Sequence, residues 1–332
     1  MIFDTTIVTP GHAVLGGVLF CITNLALFLF IRSRIKSFSV YGMRGTYYAG
    51  WVLATVVSVA AVFQLTSFRM AIGLLIAAAC IIAFGTIDEK KNLPAWEQLA
   101  MQAFIVCIVM YFGWRIPYVT NIFHGGIVFL GVVLGSVFTF LWVLACMNAV
   151  NFLDGTDGLA PAVTAIACIA LAGISLLPAT QDAQTFVLAI IGFAGIAGFF
   201  VWNAPPARVY LGTTGSWFIG LYVALVAMIG GGKISTTLIV LAIPMLDALF
   251  VVAYRTYMRK FPWTGDTVSH LHHRLSRAGL GKWSIVFYCS AGTVILGYIG
   301  VVASTNTKII AFGIIALLFF IASARMMKRV SL

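Results

Sequence analysis

The chain has 332 residues, 62% of them hydrophobic and only 9% charged, with a formal net charge of +11. Soluble domains carry about 45–50% apolar and about 25% charged residues. This apolar excess cannot be hidden inside a water-soluble body of this size, which excludes a cytosolic enzyme, a disordered chain and a secreted disulfide scaffold.

The apolar residues fall in long, near-continuous runs, so they predict an all-α polytopic membrane protein rather than a barrel of short alternating strands. In chain order, eleven spans are predicted at 12–31, 47–66, 71–87, 98–114, 123–147, 158–178, 184–202, 215–231, 235–254, 284–303 and 308–324. The first run has no basic segment before it, so no cleavable signal peptide is expected. Of the 20 Lys and Arg, 16 fall in one set of loops together with the C-terminal tail, and four in the other set. The positive-inside rule therefore places the N-terminus outside and the C-terminus in the cytoplasm. The positive charge is explained by an anionic cytoplasmic leaflet, and nucleic acid is not expected as a partner. Residues 1–332 read as one membrane domain without internal repeats, with cytoplasmic loops at 32–46, 86–97, 148–158, 203–214 and 255–283. The six cysteines form no CxxC pair, which gives no sign of a metal site or a disulfide framework.

There are nine acidic residues. Asp4 and Asp182 read as ordinary solvated residues outside. Asp88 and Glu89 follow the third predicted span; by themselves they are indistinguishable from a charged turn that ends a helix. The stretch Asn148-Ala-Val-Asn151-Phe-Leu-Asp154-Gly-Thr-Asp157-Gly closes the fifth span with two carboxamides, two carboxylates and no cation. On a helical turn Asp154 and Asp157 share a face, and close like charges call for a divalent cation. The bland alternative is a polar capping loop, which needs one such residue and not four. Arg208 precedes Gly212-Thr213-Thr214-Gly215-Ser216, a turn that offers free N–H groups to an anion or simply caps a helix. Asp247 lies inside the ninth span, where a carboxylate is costly and so a functional candidate. His270-Leu-His272-His273, followed by Arg274 and Arg277, lacks the acids or cysteines of a zinc site. It reads as a water-facing phosphate-binding loop, the alternative being a basic loop held by anionic lipid.

Together these segments resemble the polyprenyl-phosphate N-acetylhexosamine-1-phosphate transferase superfamily over residues 84–281. The carrying motifs are NxxNFxDGxDGLA from Asn148 to Ala160, IPxxD at Ile243, Pro244 and Asp247, and HLHHxLxxxG from His270 to Gly279. HLHH followed by Arg274, in place of an HHHFE-type motif, resembles the branch that starts O-antigen, teichoic acid or related surface glycans from a UDP-N-acetylhexosamine. The resemblance implies ten or eleven spans, a multi-pass protein of a bacterial-type inner membrane, and a cytoplasmic active site. It implies an Mg²⁺-dependent enzyme (Mn²⁺ as a substitute) that acts on a UDP-N-acetylhexosamine and undecaprenyl or another polyprenyl phosphate in contact with membrane lipid; a homodimer is allowed. It assigns catalysis to Asp88, Asp154 and Asp157, and substrate binding to Glu89, Asn148, Arg208, Asp247, His270, His272, His273 and Arg274. Asn151 and Asp157 are its implied metal ligands.

The chain departs from the pattern at three places. Glu89 stands where the family usually has the second Asp of a pair. In the first cytoplasmic loop only Arg44 and Gly45 match the usual signature. Thr213 occupies the place of a metal-ligand Asp in G-D-x-G-S. Thr213 is the reason for the alternative reading, a catalytically impaired or regulatory binding protein of the same fold. A transporter, the third class, predicts interrupted helices and charges at mid-membrane.

Overall fold

A computed structural model describes residues 48–120, 126–178, 180–229, 233–259 and 270–330, and positions 18 and 22. The rest of the first expected span, the loop with Arg44 and Gly45, and residues 260–269 of the long polar loop lie outside the described residues.

The described residues form twelve helices and one small sheet. In chain order the helices are α1 (Tyr48–Val62), α2 (Phe68–Lys91), α3 (Ala95–Tyr111), α4 (Gly131–Leu153), α5 (Leu159–Ser175), α6 (Ala183–Asn203), α7 (Gly212–Met228), α8 (Ile234–Val240), α9 (Ala242–Tyr257), α10 (Leu271–Arg277), α11 (Lys282–Val302) and α12 (Thr305–Val330). Five of them, α2, α4, α6, α11 and α12, are long and apolar enough to cross a bilayer, and α8 with α9 makes a sixth if the bent pair is one span. The shorter apolar helices α1, α3, α5 and α7 coincide with further expected spans but have only 15–17 residues. The chain is a multi-pass helical membrane protein.

Helix α7 is the centre of the molecule. Every residue from Thr214 to Met228 is buried, and α7 packs against α1, α2, α4, α5 and α6. Trp142 of α4 donates its indole N–H to the carbonyl of Ala224, at 3.1 Å, which ties α4 to α7. At the other extreme α12 exposes Ile310, Ile314, Leu317 and Leu318. An apolar face left uncovered by protein in a chain of this composition is a lipid-facing face.

Two expected spans are corrected. The span expected at 123–147 begins only at Gly131; before it, Tyr118–Thr120 and Ile127–Phe129 pair antiparallel, with Val119 opposite Val128. β-Branched and aromatic residues fit a strand as readily as a helix, so apolar content alone could not separate them. The single span expected at 235–254 is two helices meeting at 71°. Pro244, in the first turn of α9, has no N–H for the carbonyl of Val240 and its ring crowds that carbonyl, so the helix breaks between them. An interrupted helix is therefore present, but its second half carries Asp247 to the histidine segment described below.

Asp182 is also corrected, because it is not an ordinary solvated acid. It caps α6 by accepting from the Thr185 N–H at 3.0 Å, and it pairs with the buried ammonium of Lys233. Lys233 donates in addition to Thr185 Oγ1 at 2.8 Å and to the Ile229 carbonyl at 3.1 Å, which satisfies a charge that would otherwise be costly to bury. This end of the molecule gives a topology test. Gln181 and Ser276 are both exposed. Cysteines placed at these two positions, with the native cysteines replaced, are expected to react with an impermeant thiol reagent from opposite sides of the membrane. Labelling from one side would overturn the orientation taken from the basic loops.

Candidate active site

The last turn of α2 carries the acid pair. Asn92, in the left-handed region at φ 50°, ends the helix, and its N–H returns to the Asp88 carbonyl at 2.7 Å. The reversal lets the Leu93 N–H and Gln98 Nε2 donate to Asp88 Oδ1 at 3.1 and 3.0 Å. Asp88 Oδ2 accepts from Thr213 Oγ1 at 2.5 Å. Glu89 Oε1 accepts from the backbone N–H of Thr214 at 3.1 Å. Gly85 makes this approach possible: a Cβ there would stand 2.4 Å from Thr214 Oγ1 and 2.8 Å from Thr214 N.

Both partners sit in the first turn of α7, whose N–H groups have no acceptor within the helix. The Gly/Thr/Ser turn does present its amides to anions, but the anions are the protein's own carboxylates. Thr214 serves Glu89, and the Gly212 N–H serves Asp154. Asp154 follows the last residue of α4 and is only partly exposed. Burial pushes its carboxyl well above the usual carboxylate range, and the negative charges of Glu89 and Asp157 add to that, against the Gly212 N–H.

Asp154 and Asp157 do not share a helical face. Helix α4 stops at Leu153 and residues 154–158 are turns, so the two acids find different partners. Asp157, 9% exposed, accepts from Lys282 Nζ at 2.8 Å and from the Ala207 N–H at 3.2 Å. Its loop is pinned separately, because the Gly158 N–H donates to Asn203 Oδ1 at 2.8 Å and Asn203 Nδ2 donates to the Val209 carbonyl at 2.8 Å. One turn back in α4, Asn151 Oδ1 accepts from Ser216 Oγ at 2.9 Å. Asn148 donates to Gln102 Oε1 at 2.6 Å and to the Leu144 carbonyl at 2.9 Å. Arg208 is exposed in the loop between α6 and α7.

Asp247 in α9 organises the histidine segment. Its Oδ1 accepts from the Leu271 N–H at 2.9 Å and from Arg274 Nη2 at 2.5 Å, and its Oδ2 lies 3.1 Å from His270 Nδ1. Arg274 is 1% exposed and its guanidinium lies over the Phe250 ring, 4.7 Å from the centroid. The expected water-facing loop is thus corrected to a short helix, α10, with His272 and Arg274 buried. Burial lowers the His272 pKa to about 4, with the neighbouring histidines adding to the effect, so its ring is neutral near pH 7. The His272 ring lies over Gly155, where a Cβ would stand 2.2 Å from Nε2, and that nitrogen has no hydrogen-bond partner. The His270 ring lies tilted against Phe152 at 4.6 Å, and His273 lies 4.0 Å from His272, centroid to centroid.

The structure therefore joins Asp88, Glu89, Asn151, Asp154, Asp157, Thr213, His270 and His272 into one chain of contacts. Asp247 and Arg274 hold it from behind, and Asn148 stands one turn away in α4. Sequence reasoning missed Gln98, Gln102 and Lys282. Lys282 left a faint signal: it opens a helix, where a positive charge opposes the macrodipole.

The donor set is oxygen-rich and crowded with like charge, which suits a hard cation such as Mg²⁺. Among the described residues no three His, Cys, Asp or Glu side chains gather at metal-binding distance. Such an ion would then depend on one or two carboxylates, with amide, phosphate and water oxygens completing its shell, the usual habit of Mg²⁺.

Residues 71–231, which hold the acid pair, the Asn148–Asp157 segment and the start of α7, match the model of glycosyl transferase family 4. A probable undecaprenyl-phosphate N-acetylglucosaminyl 1-phosphate transferase of Bacillus subtilis is 28% identical over 216 residues, covering 62% of this chain and 58% of the relative. A decaprenyl-phosphate N-acetylglucosaminephosphotransferase of Mycolicibacterium smegmatis is 28% identical over 270 residues, 74% of this chain and 63% of the relative. A phospho-N-acetylmuramoyl-pentapeptide-transferase of Lactococcus lactis is 33% identical over 161 residues, 45% of this chain and 47% of the relative. The matched segments span between 47% and 63% of these relatives' own length. All three are named as transferases, which lends no support to the regulatory reading raised by Thr213.

Proposed function

We propose that this chain transfers an N-acetylhexosamine-1-phosphate from a UDP-sugar to a polyprenyl phosphate, starting a cell-surface glycan such as an O-antigen or teichoic acid. The observation that carries the proposal is the direct contact among motifs from far-apart segments: Thr213 on Asp88, Ser216 on Asn151, and His272 over Gly155 of the Asp154–Asp157 loop. The names of the relatives supply the substrate classes, and the basic loops support a cytoplasmic-side site in a bacterial-type inner membrane. The loops proposed to form the site are 32–46, 86–97, 148–158, 203–214 and 255–283 of a single domain.

In the proposed reaction an oxygen of the lipid phosphate forms a bond to the β-phosphorus of the UDP-sugar. The bridging α–β P–O bond breaks, and UMP leaves with its electron pair. Both substrates are anions, so the site must neutralise charge as the transition state forms. Mg²⁺ (or Mn²⁺) would supply most of that neutralisation, held by Asn151 and by carboxylates among Glu89, Asp154 and Asp157. Asp88, with both oxygens already accepting hydrogen bonds, would orient the lipid phosphate and serve as its base. The second phosphate pKa of about 6 makes deprotonation a minor demand at neutral pH. His270, His272 and His273, with Asn148 and Arg208, would line the nucleotide side, and the buried Arg274, paired with Asp247, would hold the histidine helix in place behind them.

Purified protein given radiolabelled UDP-GlcNAc and undecaprenyl phosphate, with and without Mg²⁺, tests the proposal. Labelled lipid and stoichiometric UMP are expected only with the metal. Binding of UDP-GlcNAc without turnover would favour the regulatory alternative.

Thr213 gives a sharper test. Its hydroxyl donates to Asp88, so Thr213→Asp puts a second carboxylate at hydrogen-bonding distance from the first. Without a cation the two repel, and the variant is expected to melt at lower temperature than the wild type in EDTA. With Mg²⁺ the added charge favours the ion, and the Mg²⁺ concentration for half-maximal transfer is expected to fall. Equal melting in EDTA and an unchanged Mg²⁺ requirement would show that position 213 is not the metal-ligand position of the family.

A further inference from the structure

Lys282 stands outside the family motifs, yet it touches one of the proposed catalytic acids. Its Nζ lies 2.8 Å from Asp157 Oδ2, and its side chain is 61% exposed whereas that of Asp157 is 9% exposed. The carboxylate is fixed by the Ala207 N–H, and the loop behind it by the Asn203 bonds, so Lys282 is not needed to hold either in place. An ion pair with so exposed a cation contributes about 0.2–1 kcal/mol at most. Lys282 is also the first residue of α11, after the cap Gly281. A cation there works against the helix dipole, while the same helix end favours an anion close by. A purely solvated lysine would not explain this partner, and the helix dipole does not explain this placement.

An exposed ammonium at a helix N-terminus, in contact with a proposed catalytic acid, is placed to meet an incoming phosphate. Lysine suits the task because its compact charge and three donors rotate freely on a long stem. Resting on the reading of the site as a UDP-sugar transferase, we propose that Lys282 binds the β-phosphate of the UDP-sugar by exchanging its bond to Asp157 for a phosphate oxygen. In this exchange Asp157 loses its cation partner at the moment the donor arrives, which leaves its carboxylate available to the reaction site. No covalent bond changes in this step.

The test compares UDP-GlcNAc with UMP, which lacks the β-phosphate, using calorimetric titration of the full-length protein in detergent. Lys282→Gln is expected to weaken UDP-GlcNAc binding about tenfold, the loss of one charge-assisted hydrogen bond, while UMP binding stays as in the wild type. Lys282→Arg should recover most of the loss. In turnover, the KM for UDP-GlcNAc should rise and the KM for undecaprenyl phosphate should not, with the melting temperature unchanged. Equal weakening of UDP-GlcNAc and UMP, unchanged UDP-GlcNAc affinity, or a lowered melting temperature that arginine does not restore would each overturn the assignment. If the wild type transfers sugar phosphate and Lys282→Gln behaves identically, Lys282 alone is wrongly assigned. A wild type that does not bind UDP-GlcNAc overturns both the assignment and the reading it rests on.

Discussion

Asp157→Asn is expected to lower transfer by about 10²–10³-fold while leaving the protein folded. The substitution keeps the shape and one oxygen acceptor for the Ala207 N–H, so the loop retains its backbone tie. What it removes is the negative charge facing Lys282. Because the lysine is largely exposed, the lost pair costs at most about 1 kcal/mol of stability. Losing one fixed charge from a transition state that depends on electrostatic stabilisation costs far more in rate. Single-turnover transfer and a thermal melt on the same preparation separate the two effects. A wild-type rate would make Asp157 a loop-fixing residue only, and a large drop in melting temperature would make the lost rate a folding effect.

Asp247→Ala is expected to give the largest loss of stability of any single change at the site. It strands the Arg274 guanidinium, 1% exposed, without a counter-charge, and it removes the acceptor for the Leu271 N–H at the start of α10. Breaking a buried pair by deleting one partner costs about 3–5 kcal/mol. Helix α10 should loosen, and with it the seating of His272 over Gly155, so UDP-GlcNAc affinity should fall more than affinity for the lipid phosphate. Denaturation in detergent and separate titrations of the two substrates measure both effects. The double change Asp247→Leu with Arg274→Met, which removes both charges, is expected to regain stability but not nucleotide affinity. An Asp247→Ala variant as stable as the wild type would show that Asp247 does not hold the histidine helix in place.

Much of this protein was legible in the amino-acid sequence because the decisive signals are local. Apolar runs too long for a soluble core required a bilayer, whatever the tertiary arrangement. The Asn148–Asp157 and His270–Arg274 segments each concentrate their chemistry within about ten residues, and residue type at short spacing sufficed to mark them as site material. Helix limits were less legible where an apolar run was interrupted: Pro244 splits one expected span, and a pair of three-residue strands shortens another. The partners of the site residues were not legible at all. Thr213 and Asp88 are 125 positions apart, as are Lys282 and Asp157, and no periodicity links residues brought together only by the packing of α2 against the buried α7 and by the approach of α11 to the loop after α4. Tertiary packing likewise decided that the amides of α7 face Glu89 and Asp154, that His272 is neutral and buried, and that Asp182 locks to Lys233. The physical reason is the range of the forces: hydrophobic burial and backbone propensity act along the chain and leave their pattern in it, whereas a buried charge takes its partner from whichever helix the fold lays beside it.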